Sequence, residues 1–211
     1  MQRVLLVNHD SGMHSDLDLR FKENNQANFV IDEVRNGNEA LKKIANTPYD
    51  LLLLNLMIPD TDMLGLIGKL KGLRPDLPLL TFSLVMEYTL IKRYLTSGVN
   101  GYCFYKQEDT AEIFKAIRTI VSGKWYISPE MVELIVEDAL YGKKTDRLDA
   151  LTEREFEVFS HLVKDETPAV IAEILSVHTS TVALYKSRIM DKLRITNLVE
   201  MKNMMKMPSM A

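Results

Sequence analysis

Residues 49–60 read YDLLLLNLMIPD. Four leucines in unbroken succession leave no polar face for a chain segment to turn toward water. A short apolar run closed by Pro59 is a strand covered on both faces. Covering both faces of a sheet takes helices on each side, which restricts the chain to an α/β architecture. The run ends in Asn55, an uncharged amide at the carboxyl end of a strand, where sheets of this kind place their chemistry.

The surrounding sequence repeats the pattern. Residues 3–7 (RVLLV), 29–34 (FVIDEV), 50–55 (DLLLLN), 78–83 (PLLTFS) and 101–105 (GYCFY) are short, apolar or alternating, and flanked by Gly, Pro or Asn. Helical spacing links Leu17 with Phe21, Ala40 and Leu41 with Ile44, Leu66 and Ile67 with Leu70, Leu90 and Ile91 with Leu95, and Ile113 with Ile117 and Ile120. Five strands alternating with five helices predict a five-stranded parallel (βα)5 sheet with helices on both faces. A sixth helix is predicted over residues 128–140, with Ser128 as N-cap and Pro129 at its first position. Met131 at the third position leaves its capping box incomplete, and Trp125 and Tyr126 are expected to pack the junction before it. Gly142 ends that helix and KKTDR is a polar linker. The organisation is then a sheet domain over 1–124, the sixth helix and linker over 125–147, an all-α domain over 148–206, and a tail over 207–211.

Composition narrows the class. Hydrophobic residues make up 46% and charged residues 26% of 211, ordinary values for a globular protein. No apolar run approaches a membrane span, the N-terminus lacks a signal-peptide layout, and Cys103 is a single cysteine inside an apolar run. The expected address is the cytoplasm, without disulfides. The formal net charge is −3, yet residues 176–206 hold six basic side chains against two acidic ones. That stripe suits a polyanion. The four histidines have no metal-ligand spacing, and no nucleophile–base pair or glycine-rich phosphate cradle supports an enzyme. No cofactor is expected.

The C-terminal segment is the most specific. LTEREFEV places Thr152 as N-cap and Glu155 at the third helical position, a capping box. TPAVIAEILSV and HTSTVALYKSRIMDKLRI follow, two helices joined by a tight turn at residues 176–178, the second long and basic. The module resembles the LuxR-type helix-turn-helix, matching at LTEREFEV, IAEIL, the V-x-x-S-T-V pattern and I-x-DKL. The resemblance implies binding of double-stranded DNA by a recognition helix over residues 179–193, with Val182, Ile189 and Leu193 turned inward. Ser180, Ala183, Leu184 and Ser187 then face the major groove, where Leu184 suits a thymine methyl. Thr181, Lys186 and Arg188 suit phosphates. Ala183 and Ser187 are short where the family often has long polar residues, and Arg194 stands where it commonly has glycine.

The first half resembles a response-regulator receiver domain, through RVLLV, NGNEAL, PYDLLLLNLMIPDTD, TFS, SGVNGY and GKWYISPE. Over its full length the chain is similar to NarL/FixJ-class response regulators. The resemblance implies a phosphoacceptor aspartate at the end of the third strand, an acidic pair for Mg²⁺ after the first, a Ser/Thr ending the fourth and a lysine ending the fifth. Here those positions hold Asn55, then Asn8 and His9, then Ser83, then Tyr105, with Asp10 and Lys106 each displaced along the chain. An amide is not a useful nucleophile, and a hard dication wants carboxylates. This is the pattern of a pseudo-receiver that has abandoned phosphoryl transfer.

Three functions fit. The first is a phosphorylation-independent transcription regulator acting as a homodimer, through the first and fifth helices or a switch surface around Tyr102. The second is a ligand-switched regulator; some relatives bind cyclic di-GMP through a Trp-aromatic-Thr/Ser-Arg motif, against which WYIS from Trp125 has no arginine at the fourth position. The third is a module that sequesters a partner protein and binds DNA weakly.

Overall fold

The computed structural model describes residues 2–9, 12–23, 29–59, 61–84, 88–105, 110–141 and 147–205. The chain divides into two compact units, Met1–Glu137 and Asp138–Ala211.

The first unit runs β1 (Gln2–Val7), α1 (Met13–Glu23), β2 (Phe29–Val34), α2 (Gly37–Asn46), β3 (Leu51–Asn55), α3 (Met63–Leu73), β4 (Leu79–Ser83), α4 (Tyr88–Thr96), β5 (Gly101–Phe104), α5 (Ala111–Val121), β6 (Tyr126–Ile127) and α6 (Pro129–Tyr141), which crosses the division. All strand pairs are parallel, in the order β2-β1-β3-β4-β5-β6. Alternation along each strand sorts the core. Val4, Leu6, Leu51 and Leu53 pack with Leu17 and Phe21 of α1 and Ile113 and Ile117 of α5. Leu5, Val7, Leu52 and Leu54 face the other way, onto Ala40 and Ile44 of α2 and Leu66, Ile67 and Leu70 of α3. The four leucines of β3 are therefore divided between two cores, which is why none of them is polar.

Among the described residues the sheet has six strands where the alternation predicts five. β6 pairs Tyr126 with Gly101 and Ile127 with Tyr102; two residues are too few to show a period of two in sequence. Gly101 makes this approach possible, since a Cβ there would collide with the Tyr126 carbonyl.

Three local expectations need correction. Trp125 does not pack the junction: it is 61% exposed, and only Tyr126 of the pair is buried. The Ser128 hydroxyl serves the neighbouring strand, accepting from the Phe104 amide at 2.7 Å. Its carbonyl accepts from Met131 and Val132 and opens α6. Tyr102 is fully buried and cannot belong to a surface. Ile91 of α4 and Met131 of α6 enclose it, with Leu134 and Ile135 packed behind. Gly142, the linker's residues 143–146 and the tail lie outside the described residues.

The second unit holds a 3₁₀ turn (Arg147–Ala150), α7 (Glu153–Val163), α8 (Pro168–Ile174), α9 (Thr179–Leu193) and α10 (Leu198–Met205). The capping box forms as the sequence predicts, with Thr152 and Glu155 hydrogen-bonded in both directions. Thr167 caps α8 and Pro168 occupies its first turn. The core gathers Phe156, Val158 and Phe159 of α7, Ile171 of α8, and Val182, Ile189 and Leu193 of α9, all with 0% exposure.

Candidate functional site

Four strands deliver the first constellation. Asn8 follows β1, Asn55 ends β3, Ser83 ends β4 and Tyr105 follows β5, and all four are buried. Together with Gly12, Met13, Asp16, Met57, Phe82 and Leu84 they line a cavity of about 240 Å³. It lies over the carboxyl ends of β1 and β3, where the strand order reverses direction.

The Asn55 side chain is committed at both ends. Its Nδ2 donates to Asn8 Oδ1 at 2.7 Å, and its Oδ1 accepts from the Met57 amide at 2.8 Å. One amide thus supplies a donor and an acceptor inside a buried site, where an unsatisfied polar atom costs about 1–3 kcal/mol. Ser83 Oγ and the Tyr102 hydroxyl share a hydrogen bond at 3.2 Å. Tyr105 packs edge-on against Phe82, with ring centroids 6.1 Å apart, so an aromatic fills the space at the end of β5.

Sequence reasoning misplaced one member and missed another. His9 is exposed and does not line the cavity. Asp16, on the exposed side of α1, does line it and is the one carboxylate among the described lining residues. Nothing in its spacing marked it, because α1 carries Asp16 and Asp18 alike. Asp62 caps α3, accepting from the Gly65 amide at 2.8 Å. Asp50 sits at the opposite end of β3 and accepts from the Arg3 amide at 2.7 Å. Asp10, Asp60 and Lys106 lie outside the described residues. Among the described residues no group of three His, Cys, Asp or Glu side chains converges on a metal position. The two buried amides and single exposed carboxylate do not fit a hard dication, which takes several charged oxygens.

The second constellation is on α9. The axes of α8 and α9 turn by 106°, inside the range of helix-turn-helix pairs. Ser176 makes the turn in a left-handed conformation, φ 53°. Ser180, Ala183, Leu184, Ser187 and Arg188 are exposed, while Thr181 and Lys186 are half-buried on the flanks. α9 ends on Arg194, left-handed at φ 54°, ψ 49°, with its amide donating to Asp191 at 3.3 Å. The geometry glycine usually supplies is thus kept by an arginine.

Motif reading did not supply two contacts, one tying α7 to the end of α8 and one tying α7 to α9. Arg154 of α7 bridges Glu157 at 2.6 Å and donates to the Leu175 carbonyl at the end of α8. Lys192 of α9 bridges Glu155 at 2.6 Å. Lys192 and Glu155 stand 37 residues apart in the chain, so their pairing has no local sequence signature.

Residues 4–118 match the response regulator receiver domain family. The chain belongs to the response-regulator family. Residues 149–205 of this response regulator match the bacterial regulatory proteins of the luxR family. It is 28% identical over 172 residues to the response regulator GacA of Pseudomonas protegens, covering 82% of this chain and 80% of that one. Its fold is similar to that of RcsB from Salmonella enterica serovar Typhimurium bound to promoter rprA in the presence of a phosphomimetic. That likeness has a TM-score of 0.74 and 18% identity, over 97% of this chain and 98% of the other. A structure of two RcsB dimers bound to two parallel DNAs gives a TM-score of 0.57 at 19% identity, over 96% and 97%. Among the described residues of this regulator, no single helix is long and apolar enough to cross a membrane.

Proposed function

We propose that this response regulator is a DNA-binding transcription regulator that acts without aspartyl phosphorylation, as a homodimer on paired half-sites. The observation that carries the reading is Asn55. It stands at the end of β3 with both side-chain ends engaged by Asn8 and Met57, and its amide offers no oxygen able to form an acyl phosphate. The neighbourhood agrees. Asn8 is neutral, His9 turns to solvent, and Tyr105 lies packed on Phe82. The described lining therefore holds no cation to neutralise a phosphoryl group and no cluster to hold its metal.

DNA binding is supported by the luxR-family match over α7 to α10 and by the exposed face of α9. RcsB, similar in fold, is bound to a promoter in its structure and forms dimers on DNA in another. A two-fold dimer suits half-sites about one helical turn apart.

Two measurements test the reading together. Unmodified protein should retain a specific duplex in a gel-shift salt series, with a steep salt slope. Incubation with acetyl phosphate and Mg²⁺ should leave the intact mass unchanged. An acid-labile phosphoryl adduct on any receiver residue ends the phosphorylation-independent reading. Failure to hold any duplex at low salt turns the chain into a partner-sequestering module.

One observation favours a second, ligand-switched reading: Trp125 is exposed and available to stack on a base. Against it, the fourth position of the motif is Ser128, fully buried and bonded to the Phe104 amide, so no guanidinium stands there. Cyclic di-GMP added to the same gel shift decides between them.

A further inference from the structure

We propose that the cavity over the strand ends is a binding site for a small organic cation, an amine or amidine carried on a short apolar body. The inference rests on the reading that no phosphoryl group is built at Asn55, and adds what the cavity takes instead.

One side chain sets the charge of the described lining. Asp16 is exposed at the cavity, in the first turn of α1. A carboxylate in a first turn suits the helix dipole anywhere, so helix position alone makes no site of it. Its surroundings do. Among the described residues the Asp16 carboxylate has no ion-pair partner. Asp18 on the same helix does not line the cavity and is bridged by Lys22 at 3.0 Å. The other described lining residues are neutral. One carboxylate therefore faces a space that holds no described cation.

The lining selects against two ligand classes. An anion would meet Asp16 with nothing positive to balance it, and a hard dication would find one charged oxygen where it takes several. An organic cation finds three features that suit it. Asp16 is a counter-charge on the exposed side. Asn55 Oδ1 accepts one hydrogen bond, from the Met57 amide, where an amide oxygen can take two; a charged N–H is the strongest donor for the second. Phe82 and Tyr105 bring aromatic rings into the lining, and a ring face attracts a cation.

Size and apolar surface define the rest of the molecule. Met57 and Leu84 line the cavity while 51% and 43% exposed. They are apolar surface that a ligand would take out of water, which is how small-molecule sites gain most of their affinity. At about 240 Å³ the space falls below the roughly 300–1,000 Å³ of pockets for drug-sized ligands. A single ring or a short chain bearing one charged nitrogen group fits it.

Benzamidine, benzamide and benzoate share one size and shape and are positive, neutral and negative, so they separate charge from fit. Each is titrated into isotope-labelled full-length protein and followed by amide NMR shifts. Benzamidine should bind, with shifts centred on Gly12, Asn55 and Ser83. Benzamide should bind about fivefold more weakly, the ratio an exposed ion pair supports, and benzoate more weakly again. Asp16→Asn should bring benzamidine and benzamide to equal affinity, while Asp18→Asn should leave their ratio unchanged. Benzamide or benzoate bound as tightly as benzamidine overturns the proposal. So does an Asp16→Asn variant that keeps the preference, a set of shifts confined to another face, or no binding of any of the three at millimolar concentration. Intact mass after acetyl phosphate keeps the two readings apart. A phosphoryl adduct ends the phosphorylation-independent reading, whereas an unchanged mass with no preference for benzamidine ends this proposal alone.

Discussion

The Glu155 carboxylate and the Lys192 ammonium lie 2.6 Å apart, joining the first turn of α7 to the last turn of α9. The same carboxylate oxygen accepts from the Thr152 amide at 2.8 Å and its hydroxyl at 3.0 Å. One oxygen thus closes a helix cap and anchors α9. Burial by itself would raise the Glu155 pKa, but the hydrogen bonds from Lys192 and Thr152 outweigh it and hold the carboxyl below its ordinary value of 4.5.

Because the folded-state pKa is lowered, the stability Glu155 contributes is fully present above the unfolded value and is lost as pH falls through the folded one. Glu155→Ala should cost about 2–3 kcal/mol at pH 7, below the roughly 3–5 kcal/mol of a fully buried broken pair because Lys192 reaches solvent. Urea unfolding of the C-terminal unit at pH 7 and at pH 3 checks both statements. The variant's deficit should shrink at the lower pH.

Arg194 holds a left-handed conformation that costs an L-residue about 1–2 kcal/mol. Glycine adopts it freely but gains freedom in the unfolded chain. Arg194→Gly should therefore stabilise the C-terminal unit by about 0.5–1 kcal/mol, seen as a higher thermal midpoint. A lower midpoint would mean that the arginine's charge at the helix end outweighs its backbone strain.

Cys103 is fully buried on β5, and burial, reinforced by the Glu112 charge, pushes its thiol up to about 12. The thiolate is the reactive form. Ellman's reagent at pH 8 should leave the native protein unlabelled and should modify one thiol only in denaturant. Rapid labelling of native protein would show that β5 opens.

Asn55→Asp should not restore phosphorylation, since Asn8, His9 and Tyr105 remain in place of the charged groups the chemistry uses. The new carboxylate would lie buried against Asn8, which costs about 1–3 kcal/mol at pH 7. Burial raises its folded pKa, so this loss should be recovered as pH falls and the group protonates. Intact mass after acetyl phosphate, and thermal midpoints across pH, check the two parts.

Much of this was written in order along the chain. A run without a polar face made β3 a doubly covered strand, and the alternation of periods two and 3.6 predicted a parallel sheet with helices on both faces, where the structure puts α2 and α3 on one side and α1 and α5 on the other. The Thr152–Glu155 box and the inward stripe of α9 were equally legible, because each depends on residues within a few turns of one another. Tertiary structure decided the rest. β6 exists because Gly101 lets a second backbone approach β5. Tyr102 is buried because α6 folds over it, and Trp125 is left in solvent beside a buried Tyr126. Asp16 enters the cavity of Asn8 and Asn55 because α1 packs beside their strands. Lys192 finds Glu155 across 37 residues of chain. Local pattern encodes which face of a segment is apolar; which distant segment comes to cover that face, and which polar atoms then meet, follows only when the whole chain has packed.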